Sequence, residues 1–501
     1  MATLSGFALA VARPPLDLGL VAFVALVPLF LAWRDVRPRM AAALGFVAGI
    51  SYYGVVVSWA WYFGAVAIVP FVVALALYWA AASAAVALLG RRGLQHPALT
   101  AAVWVLGEAL VARWPVQGFS WGEVGYAFHD AEFMRALGAL GGLPLISFVA
   151  VTVNAGLADV AVARFAHSNR AGRDTLRASA LVAVLLVLTV AWSIALPTPE
   201  PAGRLRFALL QGNDLNRELT DAELAAGYLP ESHFRLAGEH LSGRYDLIVF
   251  PESVFPDAPN APDPQDKQFM WPDRLGALAR EHNAYVLANG TGDAPDGRAL
   301  NLNVLWGPDG AELGSYAKRH LVPYGERVPL RSLLEQFIDA VDQIPRDFAP
   351  GQTRGLFDIR DVRIATVICF ESMFGMEVRP LVRAGAEVIV VSTNNRSYRR
   401  SANSAQHLAA SQIRAVETGR PVLHSSISGI TAVVDADGDV VMRRELFDNG
   451  VVQGTLTARS GRTPYVRFGE WVIAAAALAV LLSAIAVFVR DRRRSVDFAT
   501  A

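Results

Sequence analysis

Cysteine is nearly missing from this 501-residue chain: Cys369 stands alone. A single thiol excludes an intramolecular disulfide framework and every zinc-finger or cluster motif that needs several thiolates. Charge is scarce as well. Charged side chains make up 18% of the residues, and 45 basic groups balance 45 acidic ones, so no overall basic field gathers nucleic acid and no nucleic-acid partner is expected. The sequence also lacks an internal repeat, a low-complexity tract, a metal-ligand cluster, a phosphate-binding glycine loop and a dinucleotide fingerprint. Neither a metal nor an organic cofactor is expected.

What is abundant is apolar. Hydrophobic residues reach 53%, and the mean hydropathy is +0.34, a balance typical of membrane-embedded chains. Runs near spanning length are Leu18 to Trp33, Ala41 to Phe63, Ala65 to Leu89, Ala98 to Val111, Leu137 to Ala163, Ser179 to Leu196 and Val472 to Val489, the first and fourth of them short. Ala2 to Ala12 is shorter still and is counted here as a first span. Three parts follow: a membrane domain over 1–196 with about seven spans, a water-soluble domain over 197–469, and a C-terminal span with a basic tail over 470–501. If the N-terminus is cytoplasmic and the spans alternate, the arginines at 34, 37 and 39, at 91 and 92, at 164, 170, 173 and 177, and at 490 and 492 to 494 all fall inside. The positive-inside rule then puts the soluble domain on the extracytoplasmic face of a bacterial inner membrane.

Within the membrane part, Glu108 is a functional candidate because ionisable groups in apolar runs are costly. Its structural alternative is a pair with Arg113. The loop from Trp114 to Tyr126 is rich in aromatics and glycine, and Trp114, Trp121 and Tyr126 read as interfacial anchors.

The soluble part alternates short β-rich runs with helical stretches, which predicts a layered α/β sandwich. Expected strands are Leu205 to Gln211, Asp246 to Pro251, Ala284 to Asn289, Asn303 to Trp306, Val362 to Cys369, Glu387 to Ser392, Pro421 to Ser426, Thr431 to Asp435 and Asp439 to Met442. Expected helices are Gln268 to Glu281 and Ala405 to Thr418. Three segments then offer one reactive group each: Phe250-Pro-Glu252-Ser, Tyr316-Ala-Lys318-Arg-His-Leu-Val-Pro-Tyr-Gly-Glu326, and Val367-Ile-Cys369-Phe-Glu371-Ser. Acyl transfer by a thiol needs a base for its proton and a nearby cation to lower its pKa. Glu252 suits the base and Lys318 the cation, and Lys318 with the backbone N–H of Phe370 could hold a tetrahedral oxyanion. Read one at a time, these residues are a turn, a surface charge and an inert thiol. His320 and His407 read as structural or surface histidines.

Taken in this order, the three motifs resemble the nitrilase (carbon–nitrogen hydrolase) superfamily, and among so many spans they resemble its apolipoprotein N-acyltransferase family. Gln211-Gly-Asn213, Gln406-His-Leu-Ala, the stretch from Arg414 to Pro421 and the stretch from Gly429 to Asp435 extend the likeness. The resemblance implies an extracytoplasmic αββα sandwich in which Glu252, Lys318 and Cys369 are catalytic and Glu326, Glu371 and Phe370 support them. It also implies a two-step reaction. A membrane phospholipid donates an acyl chain to Cys369 as a thioester, and the chain passes to the α-amino group of the diacylglyceryl-cysteine of a lipoprotein. The competing readings are a membrane-anchored amidase with water as acceptor and an inactive membrane scaffold. Three departures stand out from the family pattern: Phe370 where tyrosine is common, Asn394-Asn-Arg396-Ser-Tyr-Arg399-Arg400 after a strand, and no tryptophan between Gln211 and Glu223. Arg396, Arg399 and Arg400 read either as ligands for a lipid phosphate or as a solvated loop.

Overall fold

Without water to bind it, backbone must satisfy its own hydrogen bonds, so the apolar runs fold as helices. The computed structural model describes residues 1–165, 171–213, 215–217, 219, 220, 222, 223, 226–260, 270–328, 331 and 346–499. Among the described residues, five helices are long and apolar enough to cross a membrane: Pro38–Val56, Ala65–Arg91, Leu137–Arg164, Thr175–Ala195 and Trp471–Arg492. Ala2–Val11, Gly19–Ala32 and Pro97–Val111 are apolar but shorter. Together, Met1–Leu196 and Phe468–Ala501 make one unit, and Pro197–Arg467 makes another. Arg170 lies outside the described residues.

In the helical unit, Pro38–Val56 and Ala65–Arg91 approach closely through a Gly45-x-x-x-Gly49 stripe. A Cβ on Gly45 would lie 2.1 Å from Ser83 Oγ, and one on Gly49 would lie 2.9 Å from Ala76 Cα, the small-residue contact that draws helices together in lipid. The expected span from Leu18 to Trp33 is broken into a 3-10 segment, Gly19–Phe23, and a short helix, Val27–Ala32, with a proline in its first turn. Side chains repair the break. Asn154 Nδ2 donates to Ala22 O at 2.8 Å, Asn154 Oδ1 accepts from Leu26 N at 2.8 Å, and Ser5 Oγ accepts from Leu29 N at 2.9 Å.

Two expectations for this unit are corrected. Trp114 is exposed, but Trp121 and Tyr126 are buried among the helices and are not interfacial anchors. Trp121 packs against Trp59 with ring centroids 5.2 Å apart, and buried Arg13 donates to the carbonyls of Trp121 and Glu123 at 3.0 and 3.3 Å. The aromatic rings thus find apolar volume while one guanidinium satisfies the loop backbone. Glu108 does not pair with Arg113. Its carboxylate accepts from Trp104 Nε1 at 3.1 Å and from Val124 N at 2.8 Å, whereas Arg113 pairs with Glu470 at 2.5 Å.

Among the described residues the other unit holds twelve strands: β1 (Glu200–Gln211), β2 (Leu247–Val249), β3 (Tyr285–Asp293), β4 (Ala299–Trp306), β5 (Glu312–Ala317), β6 (Leu356–Ile359), β7 (Val362–Ile368), β8 (Val388–Thr393), β9 (Val422–Ser426), β10 (Thr431–Val434), β11 (Val440–Arg444) and β12 (Gly450–Ser460). They form two six-stranded sheets, in the orders β12-β1-β2-β3-β4-β5 and β11-β10-β9-β8-β7-β6. The period of two along each strand sorts residues between layers. Leu205, Phe207, Leu209, Leu247 and Val249 meet Ile364, Val388, Val390 and Leu423 between the sheets. Ala208, Leu210 and Ile248 face helices Tyr228–His240 and Trp271–His282, while Ala365, Val367, Ile389 and Val391 face helices Gly375–Arg383 and Asn403–Thr418. This is the αββα sandwich.

Every strand expected from the sequence is present, but β5, β6 and β12 and the helices Tyr228–His240 and Gly375–Arg383 were not anticipated. β5 and β6 are short strands at sheet edges with few buried positions. β12 pairs antiparallel with β1 from Glu200↔Ser460 to Gln211↔Gly450, a contact too distant in sequence to leave a local pattern. The helix expected from Gln268 begins at Trp271, and 268–269 lie outside the described residues.

Replacing Asn154 with leucine should strand the Ala22 carbonyl and the Leu26 amide in apolar surroundings, at about 1–3 kcal/mol for each group. Thermal unfolding in detergent should show a lower Tm than for the unchanged chain.

Candidate active site

Parallel strands present their carboxyl ends at one edge, where ligands collect. Cys369 directly follows β7, Glu252 lies just beyond β2, Lys318 directly follows β5, and Asn394 directly follows β8. The chain turns sharply at Cys369, whose φ is +51°. That left-handed conformation is one side chains avoid, and it lifts the thiol off the strand. Glu371 holds the turn in place. Its carboxylate accepts from Ile368 N at 2.8 Å, Arg319 N at 2.7 Å, His320 N at 3.1 Å and Tyr316 OH at 2.8 Å, which ties the lysine loop to the cysteine turn.

Lys318 sits between two carboxylates. Its Nζ donates to Glu326 Oε1 at 2.9 Å and lies 3.5 Å from Glu252 Oε1, and all three side chains are buried. Asn301 Nδ2 donates to Glu252 at 2.8 Å and to Glu326 at 3.0 Å, while Asn394 N donates to the other Glu252 oxygen at 2.7 Å. Val322 N fixes the second oxygen of Glu326 at 2.8 Å. Behind this shell, Asn289 donates to Asn301 and Asn303 at 2.8 and 2.9 Å, and Asn303 donates to Thr366 Oγ1 at 2.7 Å. Polar groups at these depths must be paired, and here they pair with one another.

The electrostatics follow from burial. Desolvation alone would lower the Lys318 pKa, but Glu326 and Glu252 more than offset it and hold the ammonium charged. Burial raises the Glu252 carboxyl against the pull of Lys318, which makes it a stronger base. Burial also pushes the Cys369 thiol up to about 12, reinforced by Glu252 and opposed by Lys318. The sequence expectation that the cation would lower this pKa is outweighed, because desolvation of a thiolate exceeds the effect of one lysine already shared by two carboxylates. The thiol therefore rests protonated, in the field of both Glu252 and Lys318.

The structure thus brings together Glu252, Lys318, Cys369, Glu326 and Glu371. Phe370 is buried edge-on against Phe374 at 4.9 Å, beside His320. His320 faces Glu377, and His407 reaches the carbonyl of Cys369. Arg396 and Tyr398 lie in a 3-10 turn. Arg396 and Arg399 are half-buried, and exposed Arg400 stands 5.3 Å from the Phe447 ring. Sequence reasoning missed Asn301, Asn289, Tyr316, Thr393 and Asn394. One signal was available for two of them: asparagines recur at 289, 301 and 303 inside otherwise apolar strands. Another was the rarity of lysine, since Lys267 and Lys318 are the chain's two lysines among its 45 basic residues.

Two facing sheets flanked by helices, with these groups at one edge, define a carbon–nitrogen hydrolase domain, and residues 223–465 match the family model described as Carbon-nitrogen hydrolase. Residues 5–156 match a second model, Apolipoprotein N-acyltransferase N-terminal domain. Apolipoprotein N-acyltransferase of Geobacter metallireducens is 31% identical, covering 96% of this chain and 94% of its own. Those of Methylococcus capsulatus and Azotobacter vinelandii are each 30% identical, covering 94% and 99% of this chain and 92% and 96% of theirs. The chain belongs to the apolipoprotein N-acyltransferase family.

Alkylation of a cysteine follows its thiolate fraction. The rate for Cys369 with iodoacetamide should keep climbing to about pH 11, after an ordinary thiol has levelled off. Lys318→Met should slow it at any given pH, because a charge favouring the thiolate is gone. Glu371→Gln should lower stability by about 2–3 kcal/mol through loss of a buried charged acceptor, read as a lower Tm.

Proposed function

We propose that this protein transfers a fatty acyl chain from a membrane phospholipid to the α-amino group of the diacylglyceryl-cysteine of lipoproteins, with Cys369 as the acyl carrier. The observation that carries the reading is that Glu252 and Lys318, 3.5 Å apart and buried, both act on the Cys369 thiol, in a chain matched along its length by named acyltransferases. Glu252 takes the thiol proton as sulfur attacks the ester carbonyl. The ammonium of Lys318 and the N–H of Phe370 stabilise the oxyanion. The C–O bond then breaks, the proton passes from Glu252 to the leaving lysophospholipid oxygen, and a thioester remains. In the second step the acceptor amine attacks the thioester carbonyl, gives up a proton to Glu252, and expels sulfur, which regains a proton. The proton transfer between Cys369 and Glu252 leaves the charge of the site unchanged, so burial does not oppose it.

The helical unit suits a lipid substrate, and the charge layout of the unit supports an extracytoplasmic site. Arg92 pairs with Asp491 towards one end of the helix Trp471–Ala499, Arg34, paired with Asp159, lines a cavity with Arg91, and Glu470 before the other end of that helix pairs with Arg113. Arginine-rich ends face the cytoplasm. We place the divisions between the membrane and catalytic parts at 196/197 and 469/470, the second of them two residues past the end of the compact unit Pro197–Arg467. Arg396, Arg399 and Arg400 bind the phosphate of the donor headgroup: the half-burial of the first two argues against a merely solvated loop, and their turn starts at Asn394, whose N–H holds Glu252.

Mass spectrometry of purified protein incubated with labelled phospholipid should find an acyl adduct on Cys369, discharged by a diacylated lipopeptide. No adduct, or discharge to water alone, would reject the transferase in favour of nothing or of an amidase. Replacing Arg396, Arg399 and Arg400 together with glutamine should raise the KM for phospholipid about tenfold or more, at roughly 1.5–3 kcal/mol for hydrogen bonds to a charged group. Acylation from a short p-nitrophenyl ester should be unaffected.

A further inference from the structure

Cys369 keeps a backbone conformation that its neighbours must impose, with φ at +51°. Groups on both sides of its Cα grip it. Upstream, Glu371 accepts from Ile368 N at 2.8 Å. Downstream, the Cys369 carbonyl accepts from Ser372 Oγ at 2.9 Å and lies 3.1 Å from His407 Nε2. His407 belongs to another element, the helix Asn403–Thr418, and its side chain is buried. Its Nε2 is also 2.8 Å from Ser372 Oγ, so imidazole, hydroxyl and carbonyl form a closed triangle.

The opposite edge of the ring decides which nitrogen carries the proton. His407 Nδ1 lies 3.4 Å from Asn395 Nδ2, which can only donate, and 3.3 Å from Thr393 Oγ1. An imidazole that accepts at Nδ1 holds its proton on Nε2 and donates it toward the Cys369 carbonyl. Burial pushes His407 down to about 4, so the ring is neutral and keeps this single donor at working pH. One imidazole therefore joins the turn after β7, the end of β8 and the helix behind them, at the residue whose sulfur must meet Glu252.

We propose that His407 is a positioning residue for the thiol, donating from Nε2 to the Cys369 carbonyl and so holding the left-handed turn that aims sulfur at Glu252 and Lys318. It acts through Cys369 and touches no substrate. The proposal rests on Cys369 being the acyl carrier, and adduct formation by the unchanged chain is the control for that. A misplacement near 1 Å costs on the order of 10²-fold in rate.

The test compares full-length His407→Ala and His407→Gln in detergent, measuring the rate of acyl adduct formation per folded protein and the KM for phospholipid. Alanine should slow acylation on the order of 10²-fold with KM unchanged. Glutamine can still donate near the Nε2 position and should recover to within about tenfold of the unchanged chain. Acylation at the unchanged rate in the alanine protein overturns the proposal, as does an equal loss in both variants. If the alanine protein does not fold, glutamine carries the test, and a folded glutamine protein slowed more than about tenfold overturns it. Absence of adduct in the unchanged chain removes the reading of Cys369 itself.

Discussion

A single buried ammonium, that of Lys318, governs the construction of the catalytic unit. An isolated charge in a protein interior is strongly unfavourable, and it persists only where partners surround it. Here Glu326 and Glu252 supply the countercharge, Asn301 bridges both carboxylates, and backbone amides of Val322 and Asn394 complete them. These groups come from separate strands and loops. The sheets must therefore assemble in register before the charge is tolerable, and once assembled they hold a cation close enough to act on the Cys369 thiol.

The thiol obeys a different constraint. Its pKa is set by burial rather than by the lysine, so in the proposed mechanism its nucleophilicity depends on handing a proton to Glu252 at the moment of attack. That makes position more important than charge. Glu371 holds the amide of Ile368 and His407 reaches the carbonyl of Cys369, one on each side of its Cα. Lysine and arginine are not interchangeable in such a space, because an ammonium fits between two carboxylates where a planar fork would not. An arginine-rich chain that keeps a lysine at 318 reflects this.

Much of the architecture was legible because it is written in local periods. Buried strands such as β2 and β8 show unbroken apolar runs, and the long helices announce themselves by length. Edge strands β5 and β6 carry few buried positions, and β12 derives its stability from β1. The aromatic loop from Trp114 to Tyr126 was misjudged for a related reason: aromatics with glycines look the same in sequence whether they meet headgroups or, as Trp121 and Tyr126 do, the interior of a helical unit. Likewise Glu108 had Arg113 within reach along its helix, yet Trp104 and Val124 took the carboxylate and Glu470 took the arginine.

The sequence by itself determined the helical and α/β halves and the candidate residues Glu252, Lys318 and Cys369, since strand patterns and short motifs are properties of neighbouring residues. Only the tertiary structure decided how those residues act on one another. Protonation of the thiol depends on how much water is excluded, the charge on Lys318 depends on carboxylates brought from other loops, and the set of the Cys369 turn depends on an imidazole from a distant helix. Desolvation and through-space contact have no signature along a chain, so they emerge only when the sheets close over the site.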